Sequence, residues 1–411
     1  MTSRDDATHL GFAENDRLTK IAKLRDARAI TRPDIVSNDE FGATVYPRYF
    51  GRTQGAHLWD VDGNRYVDYL LGYGPVILGH ADTRVTRAVV DECVNGNCIA
   101  PLWSPRQVEL TELLTEVIPG AESVYLLKTG SDANSAAVRL ARIFTGRDRV
   151  VRWGYNGWHD WACSQPAGIP SATRANTLLF EHSPESLRAV LTQYSGEVAC
   201  VLTMPFEYEV IPPELLAEMR AVAHEHGALL IFDEMRSGFR MSLGGAQEYF
   251  GVQADLVTLS KAMANGYPIS AVAGRADVME CLARTRISST FYASPVEMAA
   301  AIRTIELLRD TDALSHIWRM GSMFQDGLRA LVAEHGVPAE VIGYPVIPFL
   351  RFTPGHEELA RHFFVDVVRR GVLLHPDHQW FVSAAHTAED IEFTLDACDA
   401  AFRHALSTER G

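Results

Sequence analysis

Short, predominantly apolar runs recur along the middle of this chain, separated by stretches in which apolar residues return every three or four positions. Runs at 124–127, 149–153, 198–204, 228–232, 256–259 and 269–274 have the length of buried parallel strands. Between the first two, Ala136, Ala137, Leu140, Ala141 and Phe144 fall on one helical face. Strands alternating with helices predict a mostly parallel sheet covered on both faces. Outside this region the pattern changes. Residues 1–40 alternate charges with a few apolar positions and predict a helix and an extended arm. Residues 57–69 read as a hairpin turning at Asp62-Gly63-Asn64. Past residue 310 come a helix, short strands at 341–352 and 371–374, and a second helix, an α+β pattern. The expected organisation is a large α/β domain over 81–310, a small α+β domain over 311–411, and an N-terminal segment, 1–80, that joins the small domain.

Two of the apolar runs end on reactive side chains. The run 228–232 leads into Asp233-Glu234, and 256–259 leads through Ser260 into Lys261. In an open α/β sheet the ligand crevice lies outside the carboxyl ends of the strands. An acid and an amine are therefore expected in one cleft. Pyridoxal phosphate needs such a pair: a lysine for the Schiff base and a carboxylate for the pyridinium nitrogen. The run 124–127 leads into Lys128-Thr129-Gly130-Ser131-Asp132 and then a helix over 133–144. Glycine and hydroxyls at a strand-to-helix turn suit an anion, because amides are unpaired there and the helix dipole favours negative charge. The same residues equally suit an ordinary capped turn. Neither a dinucleotide glycine fingerprint nor a P-loop is present. Trp153, Tyr155, Trp158 and Trp161 cluster around Gly154 and Gly157. Tyr155, just past a strand end, is the one expected to stack on a cofactor ring.

Charge narrows the partners. The 411 residues carry a formal net charge of −14, which argues against nucleic acid, a ligand that wants a basic patch. A local cationic pocket for a small anion remains compatible with it. No stretch approaches a membrane span, and the N-terminus has no apolar signal region. Cys93, Cys98, Cys163, Cys200, Cys281 and Cys398 are scattered, with no CxxC pair, so neither zinc nor a disulfide framework is expected. A cytoplasmic, reducing location is the expectation. His375 and His378 have the spacing of metal ligands but no third ligand nearby, and no metal is expected.

Taken in order, the motifs resemble those of the class III (ω-)aminotransferases, fold-type I pyridoxal phosphate enzymes, and look most like the glutamate-1-semialdehyde 2,1-aminomutase branch. The similarity runs from about Tyr46 to His386. It is carried by Pro47-Arg48-Tyr49, residues 55–64, Gly74-Pro75-Val76-Ile77-Leu78-Gly79-His80, Thr129-Gly130-Ser131-Asp132-Ala133-Asn134, Tyr155-Asn156-Gly157, residues 233–240, Ser260-Lys261-Ala262 with Gly266-Tyr267-Pro268, and Thr290-Phe291-Tyr292-Ala293-Ser294-Pro295. The resemblance implies a large domain with a mostly parallel sheet flanked by helices, plus a smaller α+β domain. It implies that Lys261 carries the internal aldimine and shuttles the proton between Cα and C4′. It likewise implies that Asp233 holds the pyridine nitrogen, that Gly130 and Ser131 bind phosphate, that Tyr155 stacks on the ring, and that Met235 packs on its other face. Thr290 reaches the phosphate of a neighbouring subunit, so a homodimer with interfacial sites is implied.

Departures from the family pattern fall near the substrate. Met204-Pro205 stands where Glu-Pro is usual, Asn156 replaces a histidine, and Ala264 and Asn265 replace two glycines. The stretch 373–381 lacks a substrate-pairing arginine, as does the aminomutase branch. Arg48, Arg236 and Arg240 are the cationic candidates; an arginine at 236 suits the cofactor's phenolic oxygen or a substrate carboxylate. Trp103, Trp158 and Trp380 are candidates for an apolar wall. The leading expectation is an aminotransferase acting on a small amino donor and a carbonyl acceptor. An aminomutase is the close alternative. A racemase, epimerase or decarboxylase is a third, since all share one carbanion.

Overall fold

The computed structural model describes residues 10–27 and 45–409. The chain divides into two compact units, residues 1–82 with 315–411, and residues 83–314. Strands are numbered along the chain.

The first unit opens with the helix Ala13–Arg25. Its first turn is held by Asp62, whose carboxylate accepts the amides of Glu14 at 2.6 Å and Asn15 at 3.0 Å. The extended arm expected beyond this helix falls mainly on residues 28–44, outside the described residues. A meander follows: β1 (Phe50–Gln54), β2 (His57–Asp60) and β3 (Arg65–Asp68), paired antiparallel. The β2–β3 hairpin turns where the sequence predicts, with Gly63 at φ +89°. A side chain there would strain the backbone, and glycine adopts it without a steric penalty.

The second unit is built on seven strands. These are β4 (Ser123–Leu127), β5 (Arg149–Trp153), β6 (Thr177–Leu179), β7 (Val198–Thr203), β8 (Leu229–Asp233), β9 (Leu256–Leu259) and β10 (Ser270–Gly274). Their order is β4-β10-β9-β8-β7-β5-β6. The pairs from β6 to β9 are parallel; β10 runs antiparallel to both β9 and β4. Two reversals return β4 to the direction of β9. The carboxyl ends of β4, β5, β7, β8 and β9 therefore open on one edge of the sheet. Every residue of β7 through β10 is buried, which explains why their sequences read as continuous apolar runs. The edge strand β6, three residues long and half-exposed, carries no such signal and is not expected from the sequence.

The helix Gly130–Thr145 packs on this sheet. Ala136, Ala137, Leu140 and Ala141 join a core with Val150, Leu202, Ile231 and Val272. Phe144, expected on the same face, is instead exposed at the helix end, where the Arg275 guanidinium lies 5.5 Å from its ring centroid. The helix also begins three residues earlier than the apolar pattern suggests.

The first unit resumes with the hairpin β11 (Ala339–Tyr344) and β12 (Ile347–Phe352). Then β13 (Val372–Leu373) joins β3 in parallel. The helices Glu357–Arg369 and Ala388–Glu409 pack on each other, with Phe363 stacked on Phe402 at 4.4 Å between centroids.

Candidate active site

Five strand ends supply one cavity of about 330 Å³ in the second unit. After β4 come Thr129, Gly130 and Ser131. After β5 come Tyr155, Asn156, Gly157 and Trp158. Met204 follows β7, Met235 and Arg236 follow Asp233 at the end of β8, and Ser260 and Lys261 follow β9. The volume lies within the range of small-molecule sites.

Lys261 is turned into the cavity by a sharp break in the chain. It leaves β9 with φ +47°, a left-handed backbone that a side chain rarely adopts. The hydroxyl of Ser260 fastens the break by donating to the carbonyl of Ile269 at 2.7 Å. The lysine is half-buried and opens on the cavity. Desolvation pushes its ammonium down to about 8, helped by the cations of Arg236 and Arg240 and opposed by Asp233. It is therefore neutral far more often near neutral pH than an ordinary lysine, which makes it a nucleophile and a base.

Asp233 is buried. Its Oδ2 accepts from Asn134 Nδ2 at 2.7 Å and from Asn156 Nδ2 at 2.9 Å, and its Oδ1 from the Met235 amide at 3.2 Å. Burial raises this carboxyl above the usual carboxylate range; the asparagines, the amide and Lys261 pull against that. Arg236 stands 3.6 Å from Glu207. Arg240 is wholly buried outside the cavity lining, where desolvation pushes it down to about 9.

At the other end lies the strand-to-helix turn after β4. Thr129 is a helix N-cap in a capping box with Asp132: Thr129 Oγ1 accepts the Asp132 amide at 3.2 Å, and Asp132 Oδ2 accepts the Thr129 amide at 2.9 Å. The capped-turn reading holds, and the box leaves the amides of Gly130 and Ser131 unused at the N-terminus of a 16-residue helix, a place that suits an anion. The loop after β5 presses on this turn. A Cβ at Gly157 would come within 2.4 Å of Ser131 Oγ, and one at Gly130 within 2.8 Å of Met235 Sδ. Met204 packs under Gly154, whose Cβ would meet its sulfur at 2.5 Å.

Of the residues singled out in the sequence, Lys261, Asp233, Gly130, Ser131, Tyr155, Met235, Arg236 and Trp158 line the cavity together. Trp103 and Thr290 do not. Trp103 is 77% exposed ahead of the helix Pro105–Val117, and Thr290 is exposed in the loop before Pro295–Asp310. Arg48 belongs to the other unit, where its amide donates to Asn15 Oδ1 at 3.0 Å. Trp380 is no wall residue but core, fully buried with its Nε1 donating to the His375 carbonyl at 2.8 Å. Ala264 and Asn265 stay out of the lining. Asn265 has φ +48°, a left-handed conformation that asparagine tolerates better than most side-chain-bearing residues. Sequence reasoning gave no role to Asn134 or Thr258, although Thr258 donates to Asn134 Oδ1 at 2.6 Å directly beneath the carboxylate. Among the described residues no group of three or more could hold a metal ion.

Residues 41–402 match the sequence profile of the family described as Aminotransferase class-III. The chain belongs to that family. The enzyme is 37% identical to a 3-aminobutyryl-CoA aminotransferase of Cloacimonas acidaminovorans, over 86% of its own length and 88% of the relative's. It is also 37% identical to a glutamate-1-semialdehyde 2,1-aminomutase of Methanothermobacter thermautotrophicus, over 86% and 92%. Its fold matches the pyridoxal phosphate internal aldimine form of the Sphingopyxis sp. MTA144 FumI protein with a TM-score of 0.91, 29% identity and 97% of each chain covered. This is a fold-type I enzyme, and its cofactor is pyridoxal phosphate. The cavity fits that group: a buried carboxylate, an amine of lowered pKa and an open helix N-terminus surround it. Asn156 Oδ1 is in addition a buried acceptor with no partner among the described residues.

Proposed function

We propose that the enzyme moves an amino group from a small amino donor to a carbonyl acceptor at the cavity between Lys261 and Asp233. One observation carries this reading: an amine pushed down to about 8 shares a cavity with a buried carboxylate held by three neutral donors. Bound there, pyridoxal phosphate supplies an aldehyde that joins amines covalently and a ring that takes up the electron pair left when Cα loses its proton.

In this proposal the chain's own residues do the rest. Lys261 Nζ would hold the cofactor and, once a donor has freed it, would move the proton between the donor's Cα and C4′. The Asp233 carboxylate keeps the ring nitrogen protonated. The amides of Gly130 and Ser131 receive the phosphate. Tyr155 would cover one face of the ring and Met235 the other, and Arg236 would hold the phenolic oxygen or a substrate carboxylate. Trp158, at the rim of the cavity, would contact substrate.

Intramolecular transfer is the second reading, supported by the aminomutase relatives at comparable identity. The visible absorption of the holoenzyme, titrated with amino donors without acceptor, separates the two. Conversion to the pyridoxamine form with stoichiometric keto product is expected. Bleaching without keto product would sink the transferase reading in favour of the mutase, racemase, epimerase or decarboxylase.

We further propose a cytoplasmic homodimer. No described helix is long and apolar enough to cross a membrane. Leu102, Trp103, Val94 and Phe291, all in the second unit, are left largely exposed, and a partner would cover them. Thr290, outside its own chain's cavity lining, would serve the partner's phosphate. Light scattering should give twice the chain mass; a monomer that turns over at full rate would overturn this.

A further inference from the structure

Asn134 sits one helical turn beyond Gly130, at i and i+4, so the two share a face of the Gly130–Thr145 helix. It is almost completely buried. Its Nδ2 donates to Asp233 Oδ2 at 2.7 Å and to the backbone carbonyl of Asn156 at 3.1 Å. Its Oδ1 accepts from Thr258 Oγ1 at 2.6 Å. Both N–H bonds and the carbonyl of the amide are thus used. The opposite orientation would set its oxygen against two acceptors, Asp233 Oδ2 and the Asn156 carbonyl, so the network fixes one sense. Thr258 is the register partner of Asp233 across β8 and β9. Three elements converge on one amide: the first turns of the helix, the loop after β5, and the β8–β9 pair.

We propose that Asn134, oriented by the Thr258 hydroxyl, is the positioning residue that holds the Asp233 carboxylate on the cofactor's ring nitrogen and ties it to the helix turn that receives the phosphate. The inference rests on the assignment of Asp233 to that nitrogen made above. Its physical content is a length and a charge. One rigid helical turn sets the span between the two ends of the cofactor. Two donors on Oδ2, one of them cross-braced, keep a buried carboxylate ionised where burial alone favours the neutral acid. A protonated Asp233 would not hold the ring nitrogen cationic. Asn156 is the second donor, and its amide lacks the bracing: its Oδ1 has no partner among the described residues.

The test uses holoenzyme loaded with pyridoxal phosphate isotopically labelled at the ring nitrogen. The nitrogen resonance reports protonation directly, and the donor half-reaction is timed in parallel. Thr258→Val removes the hydroxyl at nearly constant shape, Thr258→Ser keeps it, and Asn134→Ala removes the amide. Asp233→Asn is the reference. Thr258→Val and Asn134→Ala should move the resonance toward that of an unprotonated pyridine and slow the half-reaction about tenfold or more. Thr258→Ser should stay with the wild type. If Asn134→Ala does not fold, the Val and Ser variants at 258 still make the comparison. If Asp233→Asn leaves the resonance unmoved, the Asp233 assignment fails, and the inference with it. If Asp233→Asn moves it while Thr258→Val and Asn134→Ala do not, Asp233 keeps its role and Asn134 is only a core residue.

Discussion

Lys261 combines two unfavourable circumstances in one residue. Its left-handed backbone costs a side-chain-bearing residue about 1–2 kcal/mol, and its surroundings disfavour the ammonium it would carry in water. Both follow from turning an amine sharply off a buried strand and into a cavity, and strain of this kind collects at functional sites. The lowered value has a measurable sign. The neutral amine is the nucleophile, so capture of pyridoxal phosphate by the apoenzyme should speed up with pH and level off above about 8. Arg236 helps to hold the value down. Arg236→Gln removes that cation, and the midpoint of the capture profile should then move to higher pH. A profile unchanged in that variant would show that Arg236 does not act on Lys261. At this scale Asp233 and Lys261 were legible in the sequence because each stands at the end of an apolar run, Asp233 directly and Lys261 one residue on. Asn134 was not: an asparagine inside an amphipathic helix looks the same whether it caps, packs or holds a carboxylate.

Elements meet at the site through close approaches that only glycine permits. The loop after β5 reaches the N-terminus of the Gly130–Thr145 helix because Gly157, at φ +109°, has no Cβ to strike Ser131. Trp158 then donates its amide to Ser131 Oγ at 3.3 Å. Gly157→Ala adds both a clash and a strained backbone. It should weaken cofactor binding about tenfold or more while the helical and sheet content stays, as read by visible titration beside circular dichroism. An unaltered titration would mean that the loop and helix are free to separate without cost to the site. The strands themselves were readable because β7 through β10 are buried on both faces. The short edge strand β6 was not, since an edge asks little of its side chains.

Each compact unit also encloses a neutral histidine. His182 stacks on Trp153 with ring centroids 3.8 Å apart, and burial pushes it down to about 4. His386 lies in the other unit, accepts the Ser383 amide at Nδ1 at 3.1 Å, and is likewise pushed down to about 4 by burial. In the unfolded chain both titrate near 6.5. A depressed histidine contributes stability that is fully present above the unfolded value and is lost as pH falls toward the folded one. Resistance to denaturant should therefore drop between pH 6.5 and about 4. His386→Asn, which keeps an acceptor for the Ser383 amide, should flatten part of that drop. A denaturation midpoint that does not change over this range would contradict the burial of both rings.

The sequence by itself determined the strand-and-helix alternation, the family, and the pairing of an acid with an amine at strand ends, because burial period and chain order are local properties. Only the tertiary structure decided that β10 reverses so that β4 delivers its turn to the same edge, and that Thr258 lies beside Asp233 to orient Asn134. It likewise decided that Trp380 is core while Trp158 lines the cavity. Those outcomes depend on which strand neighbours which and on a register between residues far apart in the chain, and no local pattern encodes a register.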